Sequence, residues 1–236
     1  RIGVVVLVLL LLLLAGAGAG FYYYYSKYIN IDAIYPGVTI QGMSVGGMTQ
    51  EEAEAKVQEY VDQVSQEKGT LQVRKKETAF PLSDIGLKCT NMDVVEEAYN
   101  LGKTGNVFKR VMEVRELEKK GTDFPLTFSV DKEETKKVVA KKAKKFLAKK
   151  KDATIKRVDG KFVITKHVHG IAIDFDANAE KLAEVFDNKN WDHKSVVFPM
   201  DYTLDKAKHT KKELSAIKDV LGTYTTSYAG SASGRC

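Results

Sequence analysis

The most informative stretch of this chain, residues 36–53, reads PGVTIQGMSVGGMTQEEA. Val38 and Ile40 alternate with polar residues, as side chains do along a strand that is buried on one face. A glycine pair then ends the strand, and Thr49 stands three residues before Glu52, the spacing of a capping box at a helix N-terminus. The stretch therefore predicts a strand that leads directly into a helix. The buried face of this helix is expected to hold the apolar residues at helical spacing, which are Ala53, Val57, Tyr60, Val61 and Val64.

The same strand-to-helix pattern recurs further along the chain. Leu126 and Phe128 alternate with polar residues, and Asp131 then precedes Glu134 at the capping distance. A third, partial copy begins at residues 196–198, and Thr210 and Glu213 have the capping spacing before the last helix. The pattern therefore predicts an internal duplication.

Each full copy is followed by a segment with the pattern of a hairpin and a helix, at residues 71–101 and 154–186. The second contains Asp159-Gly160 between alternating strands, a strong signal for a two-residue hairpin turn. We predict an α+β fold, in which an N-terminal transmembrane helix is followed by two similar strand-helix-hairpin-helix lobes joined near residues 102–124. Gly86 and Gly170 would then occupy equivalent turns, where a side chain is disfavoured.

An uncharged apolar segment occupies residues 2–25. At about 1.5 Å per residue it is long enough to cross a hydrocarbon core of about 30 Å, and the tyrosines at 22–25 suit the aromatic belt of a membrane interface. We expect a single-pass anchor and an extended stalk at 26–35, with the bulk of the chain outside the cell membrane. Two alternatives are a signal peptide cleaved near the alanines at 15–19 and a buried core helix.

The chain is basic, with a formal net charge of +6 and a pI near 9.0. A basic protein can bind nucleic acid, anionic lipid or an anionic wall polymer. The expected location outside the cell membrane argues against nucleic acid as the partner. Ten lysines within residues 132–151 are the strongest charge feature. One interpretation is that these lysines cover the solvated faces of an amphipathic helix. The alternative is that they contact wall polymer or lipid headgroups.

Three blocks, at residues 36–49, 82–87 and 98–106, resemble the peptidoglycan-binding domain found in many Gram-positive wall proteins. The resemblance covers about residues 34–204, and the family usually has Arg where this chain has Lys103. It implies a non-catalytic domain whose partner is peptidoglycan or another anionic wall polymer. Residues 221–235 are similar to the start of VanW-type domains, which often follow this wall-binding domain in one chain.

These observations divide the chain into three predicted parts. Residues 1–30 form the transmembrane anchor and stalk, 31–209 the two-lobed wall-binding domain, and 210–236 the truncated start of a VanW-like domain. We predict that the chain is not an enzyme, uses no cofactor or metal, and positions the downstream domain at the wall. A passive structural spacer is the main alternative.

Polar side chains at the predicted joint are the candidate ligand-binding residues. Lys103, Thr104, Asn106 and Arg110 can reach the carboxylates and amides of a peptidoglycan stem peptide. The enzymatic alternative is the non-catalytic part of an L,D-transpeptidase, a class that needs Cys beside His. This chain offers only His169-Gly170 and a terminal Cys236, in the wrong order for that family.

Three further features of the sequence suggest alternative sites or links. His167 and His169 point to one face of a strand and suggest a zinc site, although only two ligands are evident. Trp191, the only tryptophan, suggests stacking on a sugar ring or a hydrophobic plug under a loop. A disulfide between Cys89 and Cys236 is a third, weaker alternative.

Overall fold

The computed structural model describes residues 2–187, 191–219 and 222, and they form a mixed α+β structure. Seven α-helices lie in this part of the chain: α1 Ile2–Tyr24, α2 Gln50–Ser65, α3 Val94–Asn100, α4 Val107–Lys120, α5 Lys132–Ala143, α6 Phe175–Phe186 and α7 Lys211–Leu214. The described strands are β1 Val38–Ile40, β2 Met43–Ser44, β3 Lys68–Val73, β4 Lys76–Pro81, β5 Lys88–Cys89, β6 Thr122–Phe124, β7 Phe128–Ser129, β8 Ile155–Val158, β9 Lys161–Ile164, β10 Gly170–Ala172, β11 Val196–Pro199 and β12 Thr203–Asp205. A π-helical turn, Tyr25–Ile29, continues α1, and 3-10 turns lie at Leu82–Ile85 and Lys144–Phe146.

The chain forms two compact units that are each discontinuous in sequence. Unit 1 consists of residues 1–142 and 175–199, and unit 2 of residues 143–174 and 200–236. The predicted pair of similar lobes joined near 102–124 is not confirmed. In particular, α4 lies wholly within unit 1 and buries Val114 and Leu117, so the stretch predicted as a joint is part of a core.

The sheets of unit 1 join segments that are far apart in sequence. Strand β1 pairs antiparallel with β2 and parallel with β6. Strand β3 is the centre of a second sheet, antiparallel to β4 and parallel to β11. Its alternate residues Gly69, Leu71 and Val73 are buried, which gives the sheet one core face. The predicted third copy at 196–198 is therefore an added edge strand beside the first hairpin.

Unit 2 contains the predicted second hairpin. Strands β8 and β9 pair antiparallel around Asp159-Gly160, and both turn residues have positive φ angles, +49° and +78°. Two successive left-handed residues match the twist of a hairpin, so this prediction is confirmed. Strand β10 pairs antiparallel with β12.

The predicted helix starts are confirmed where short-range hydrogen bonds define them. At α2 the Glu52 amide donates to Thr49 Oγ1 at 3.2 Å, and the Thr49 amide donates to Glu52 Oε2 at 3.0 Å. Thr210 and Glu213 make the same reciprocal pair at α7. At α5 the Glu134 amide donates to Asp131 Oδ1 at 2.9 Å.

Helix α1 has no buried residue. With its π-helical continuation it is the one helix, Ile2–Ile29, in the described part of the chain with the length and hydropathy to cross a membrane. The predicted extended stalk at 26–35 is wrong. The helix continues to Ile29, and Ile29, Ile34 and Tyr35 are fully buried, because these apolar side chains pack into unit 1.

The predicted equivalence of Gly86 and Gly170 is also wrong. Gly86 ends the Leu82–Ile85 turn in the left-handed region, at φ +66°. Gly170 instead lies in β10 without a positive φ, and its constraint is crowding, since a Cβ there would stand 3.3 Å from the Lys150 amide nitrogen.

Candidate functional site

The candidate residues from the sequence lie together at the start of α4, but two of them have roles within the fold. Asn106 is the N-cap of α4, and its Oδ1 accepts from the Lys109 amide at 2.9 Å. Arg110 donates from its two terminal nitrogens to the Tyr25 hydroxyl at 2.6 Å and to the Ile29 carbonyl at 2.9 Å. Arg110 therefore attaches the end of α1 to unit 1.

Lys103 is the unusual member of this group. Its Nζ lies 3.1 Å from the centroid of the Tyr99 ring, is enclosed, and has no hydrogen-bond acceptor among the described residues. Burial lowers the Lys103 pKa, and the nearby positive charge of Arg110 adds to this effect, while Asp32 opposes it. A ligand carboxylate would supply the missing acceptor. Thr104 is exposed beside it, and a ligand role for the four residues stays a prediction.

A second candidate, the Trp191 cavity, is an aromatic pocket of about 280 Å³ within unit 1. Its lining residues are Thr90, Leu126, Thr127, Phe128, Ser129, Phe186, Asp187, Trp191 and His193. They come from the ends of β5, β7 and α6 and from the segment before β11. Ligand pockets usually have volumes of about 300–1,000 Å³. This cavity is at the small end of that range, and its volume therefore suits one sugar-sized group.

The aromatic wall of the Trp191 cavity is held by edge-to-face contacts. Trp191 meets Phe186 at 4.8 Å between ring centroids and Phe128 at 5.6 Å, at interplanar angles of 85° and 83°. The indole Nε1 donates to the Lys194 carbonyl at 3.1 Å, so its one polar atom is already satisfied within the fold. Since Trp191 is only half-buried, its apolar ring surface remains available to a ligand.

The polar wall of the cavity carries hydroxyl groups and a carboxylate. The Thr90 and Thr127 hydroxyls lie 2.7 Å apart, and the Thr90 amide donates to the Thr127 carbonyl at 2.8 Å. Ser129 and Asp187 complete this wall. A sugar has an apolar C–H face and a rim of hydroxyls, so one aromatic and one polar wall match its two surfaces.

His193 forms the back of the cavity in a constrained conformation. It is buried at φ +60°, its Nδ1 lies 3.0 Å from the Tyr60 hydroxyl, and its ring centroid lies 4.6 Å from that of Phe128. Burial lowers the His193 pKa, with Asp192 acting in the opposite direction. The ring is therefore neutral near pH 7, and Asp187 supplies the charge among the residues that line the cavity.

Sequence reasoning found only one member of this site. The sequence indicates Trp191 alone, as a surface for sugar stacking or as a hydrophobic plug, whereas the structure surrounds it with residues up to 101 positions away in sequence, at Thr90. The local signal that could have extended the site was His193 two residues after Trp191. The other aromatic residues carry no such signal, because buried phenylalanines in strands and helices are usual core residues.

The two neighbouring histidines have acceptor roles in unit 2. His167 Nδ1 accepts from the Lys211 amide at 3.0 Å, and His169 Nδ1 accepts from the Ala207 amide at 2.9 Å. Across the described ranges no group of three or more metal-ligating side chains is found. Cys89 is a half-buried free thiol whose pKa is raised by burial. Cys236 lies outside the described residues, as do residues 221–235, which are similar to the start of VanW-type domains, apart from Gly222.

Comparison with known proteins gives one family match, which covers slightly less than half of the chain. No curated protein and no solved structure matches the chain. Residues 78–192 match the family model described as "Putative peptidoglycan binding domain". The match includes the resembling blocks at 82–87 and 98–106 and starts after the block at 36–49. A domain of this family favours a cell-wall polymer as partner and implies an extracytoplasmic location. Residues 78–192 are therefore similar to a peptidoglycan-binding domain, in a chain whose N-terminal helix has the length and hydropathy to span a membrane.

Proposed function

We propose that this protein is a membrane-anchored, extracytoplasmic and non-catalytic peptidoglycan-binding protein of a Gram-positive cell envelope. The family match at residues 78–192 supports wall binding, and the exposed apolar α1 supports anchoring. In this proposal the chain crosses the membrane once and positions a VanW-like domain, beginning near residue 210, at the wall. The proposed division into two similar lobes stays a prediction from the sequence pattern.

The observation that carries the proposal is the Trp191 cavity. It lies almost wholly inside the family match, since eight of its nine lining residues fall within 78–192. We infer that one sugar ring of the glycan strand stacks on Trp191 while Thr90, Ser129 and Asp187 accept from or donate to its hydroxyls. Burial of apolar surface against an aromatic ring would supply affinity, and the hydroxyl contacts would supply orientation.

The start of α4 is a second candidate surface for the same polymer. The specific observation in its favour is the Lys103 ammonium, which is enclosed without an acceptor in the described part of the chain. A buried polar group without a partner calls for a ligand, a water or an ion. Lys103 and Thr104 would contact a stem-peptide carboxylate, and Asn106 and Arg110 would fix the backbone that presents them.

Retention on purified sacculi tests the proposal with the full-length chain in mild detergent. Trp191→Leu keeps an apolar side chain but removes the aromatic ring, whereas Trp191→Phe keeps an aromatic face. We expect the wild type and Trp191→Phe to be retained at moderate salt and Trp191→Leu to be lost. Raising the salt concentration distinguishes binding in the Trp191 cavity from nonspecific attraction to the lysines. The attraction is screened, because the Debye length falls from about 10 Å at 0.1 M to about 3 Å at 1 M.

Two other outcomes identify the alternatives. If Trp191→Leu binds like the wild type and Lys103→Met does not, the start of α4 is the site. Lys103→Met removes the ammonium and its contact with the Tyr99 ring but breaks no hydrogen bond within the described fold. If the wild type itself is not retained at moderate salt, the protein is a passive spacer whose lysines give only nonspecific attraction.

A further inference from the structure

The start of α4 exposes apolar side chains. Val107 is 41% exposed, Phe108 77% and Met112 53%. Phe108 and Met112 are four residues apart and so share one face of the helix, while the opposite face buries Val114 and Leu117 in unit 1. The exposed group, here called the α4 patch, is thus not used by the core.

The α4 patch is held at the point where α1 enters unit 1. Arg110 bonds to the Tyr25 hydroxyl and the Ile29 carbonyl, and Tyr35 also donates its hydroxyl to the Ile29 carbonyl. These bonds join the end of the apolar helix to the first turns of α4. The rest of unit 1 is therefore attached to α1 without an extended stalk between them.

The length of α1 places this junction at the height of the lipid headgroups. Its 23 residues extend about 35 Å, at about 1.5 Å per residue, whereas a hydrocarbon core is about 30 Å thick. The tyrosines from Tyr22 to Tyr25 suit the interface, where such side chains are enriched, and the uncharged residues from Ile2 to Phe21 are then enough to cross the core. Arg110, bonded to Tyr25, lies at the same level.

The α4 patch lies close to the end of α1, because Val107, Phe108 and Met112 are all within one helical turn of Arg110. After Arg110 the helix passes Val114, which packs near Tyr35, and reaches Leu117, whose carbonyl would be only 2.4 Å from a Cβ at Gly37. The chain itself runs from Ile29 to Gly37 as it leaves the anchor. Val107 and Phe108 therefore lie at the end of α4 that holds Arg110, beside the residues where the chain leaves the anchor.

The charges of α4 suit an anionic surface. It carries five basic residues, Lys109, Arg110, Arg115, Lys119 and Lys120, against three acidic ones, Glu113, Glu116 and Glu118, which gives a net charge of +2. Lys27 adds a positive charge at the exit of α1. Basic residues beside a membrane span are attracted to anionic lipid headgroups.

We propose that the α4 patch, Val107, Phe108 and Met112, lies in the headgroup layer of the anionic bilayer that α1 spans. This rests on the membrane anchoring proposed above. The contact gives unit 1 a second attachment beside the anchor and sets its orientation toward the wall. Amphipathic helices bind interfaces in this way, with apolar side chains inserted and basic groups at the phosphates.

Tryptophan quenching by brominated lipid tests the contact with the full-length chain. The Trp191→Phe protein is reconstituted into vesicles of phosphatidylcholine and phosphatidylglycerol, with bromine near the headgroup end of the acyl chains. Phe108→Trp or, independently, Met112→Trp places the reporter in the α4 patch. Val197→Trp is the matched control, because Val197 is 59% exposed on β11 of the same unit. Phe21→Trp reports on the anchor itself.

We expect Phe108→Trp and Met112→Trp to lose fluorescence in brominated vesicles relative to unbrominated ones, as Phe21→Trp does, and Val197→Trp to keep it. Quenching of Phe21→Trp alone would overturn the α4 contact while leaving the anchor in place. Absence of quenching at Phe21→Trp would overturn the anchoring and the α4 contact together. Equal quenching of Val197→Trp would show nonspecific adsorption and would also count against the proposal.

Discussion

Replacing Gly86 by alanine is expected to destabilise unit 1 through two separable effects. Gly86 has φ +66°, and the left-handed conformation costs a residue with a Cβ about 1–2 kcal/mol. The added Cβ would also stand 2.4 Å from Glu134 Oε2 and 2.7 Å from Asp131 Cβ. Glu134 can swing aside at its flexible end, but Asp131 must shift and so weaken the 2.9 Å bond that caps α5.

Gly42→Ala is the matched control, because Gly42 has φ +72° and nothing within 4 Å of an added Cβ. The free energy of unfolding of Gly42→Ala should fall only by the backbone cost of about 1–2 kcal/mol. The free energy of unfolding of Gly86→Ala should fall by more. Urea unfolding of both variants measures the difference as a shift in midpoint at constant slope. Equal midpoints would refute the argument that Gly86 makes room for the α5 cap.

Three further changes have defined outcomes. Arg110→Met should speed amide hydrogen exchange across residues 25–35 because the bonds to the end of α1 are lost, whereas Arg115→Met on the exposed face should not. The contribution of His193 to the stability of the wild type should be fully present above about pH 6.5, the ordinary pKa of histidine, and should be lost as the pH decreases below it. Burial lowers the His193 pKa, so the unfolded chain takes up this proton first; His193→Asn should reduce that loss in a pH series of urea midpoints. Thr49→Ala should cost about 1 kcal/mol in thermal unfolding through loss of the α2 cap.

Features held by neighbouring residues were predictable from the sequence. The capping boxes at Thr49 and Thr210 need only a hydroxyl and a carboxylate three residues apart, and the Asp159-Gly160 turn needs only two residues that tolerate positive φ. The mixed α+β class and the apolar helix follow from periodicity and length in the same way. Each of these signals lies within one short segment.

Features that depend on distant pairing were not predictable. Strand β11 adds to β3 with Leu71 opposite Phe198, and the pattern of β11 alone equally suited the start of a third repeat. The extended stalk was expected because residues 26–35 follow the membrane segment, yet Ile29 and Tyr35 are core residues. The burial of these apolar side chains in the core decides the structure of this segment, and its position after the membrane segment does not.

The candidate sites also combine features that are local in sequence with features that depend on the fold. Lys103 and Arg110 were predicted as site residues because they are polar side chains at the predicted joint, but their contacts with Tyr99 and Tyr25 depend on the fold. The Trp191 cavity combines segments from β5, β7 and α6. No spacing rule in a single sequence brings such segments together.

The most direct test of the central claim is the intrinsic fluorescence of Trp191 during titration with a soluble disaccharide-peptide fragment of peptidoglycan. Because Trp191 is the only tryptophan in the chain, the signal reports on the cavity alone. The account predicts a saturable change in emission that Trp191→Phe cannot give and that Asp187→Asn weakens. Binding of the fragment, measured by calorimetry, without any change in Trp191 emission would contradict it.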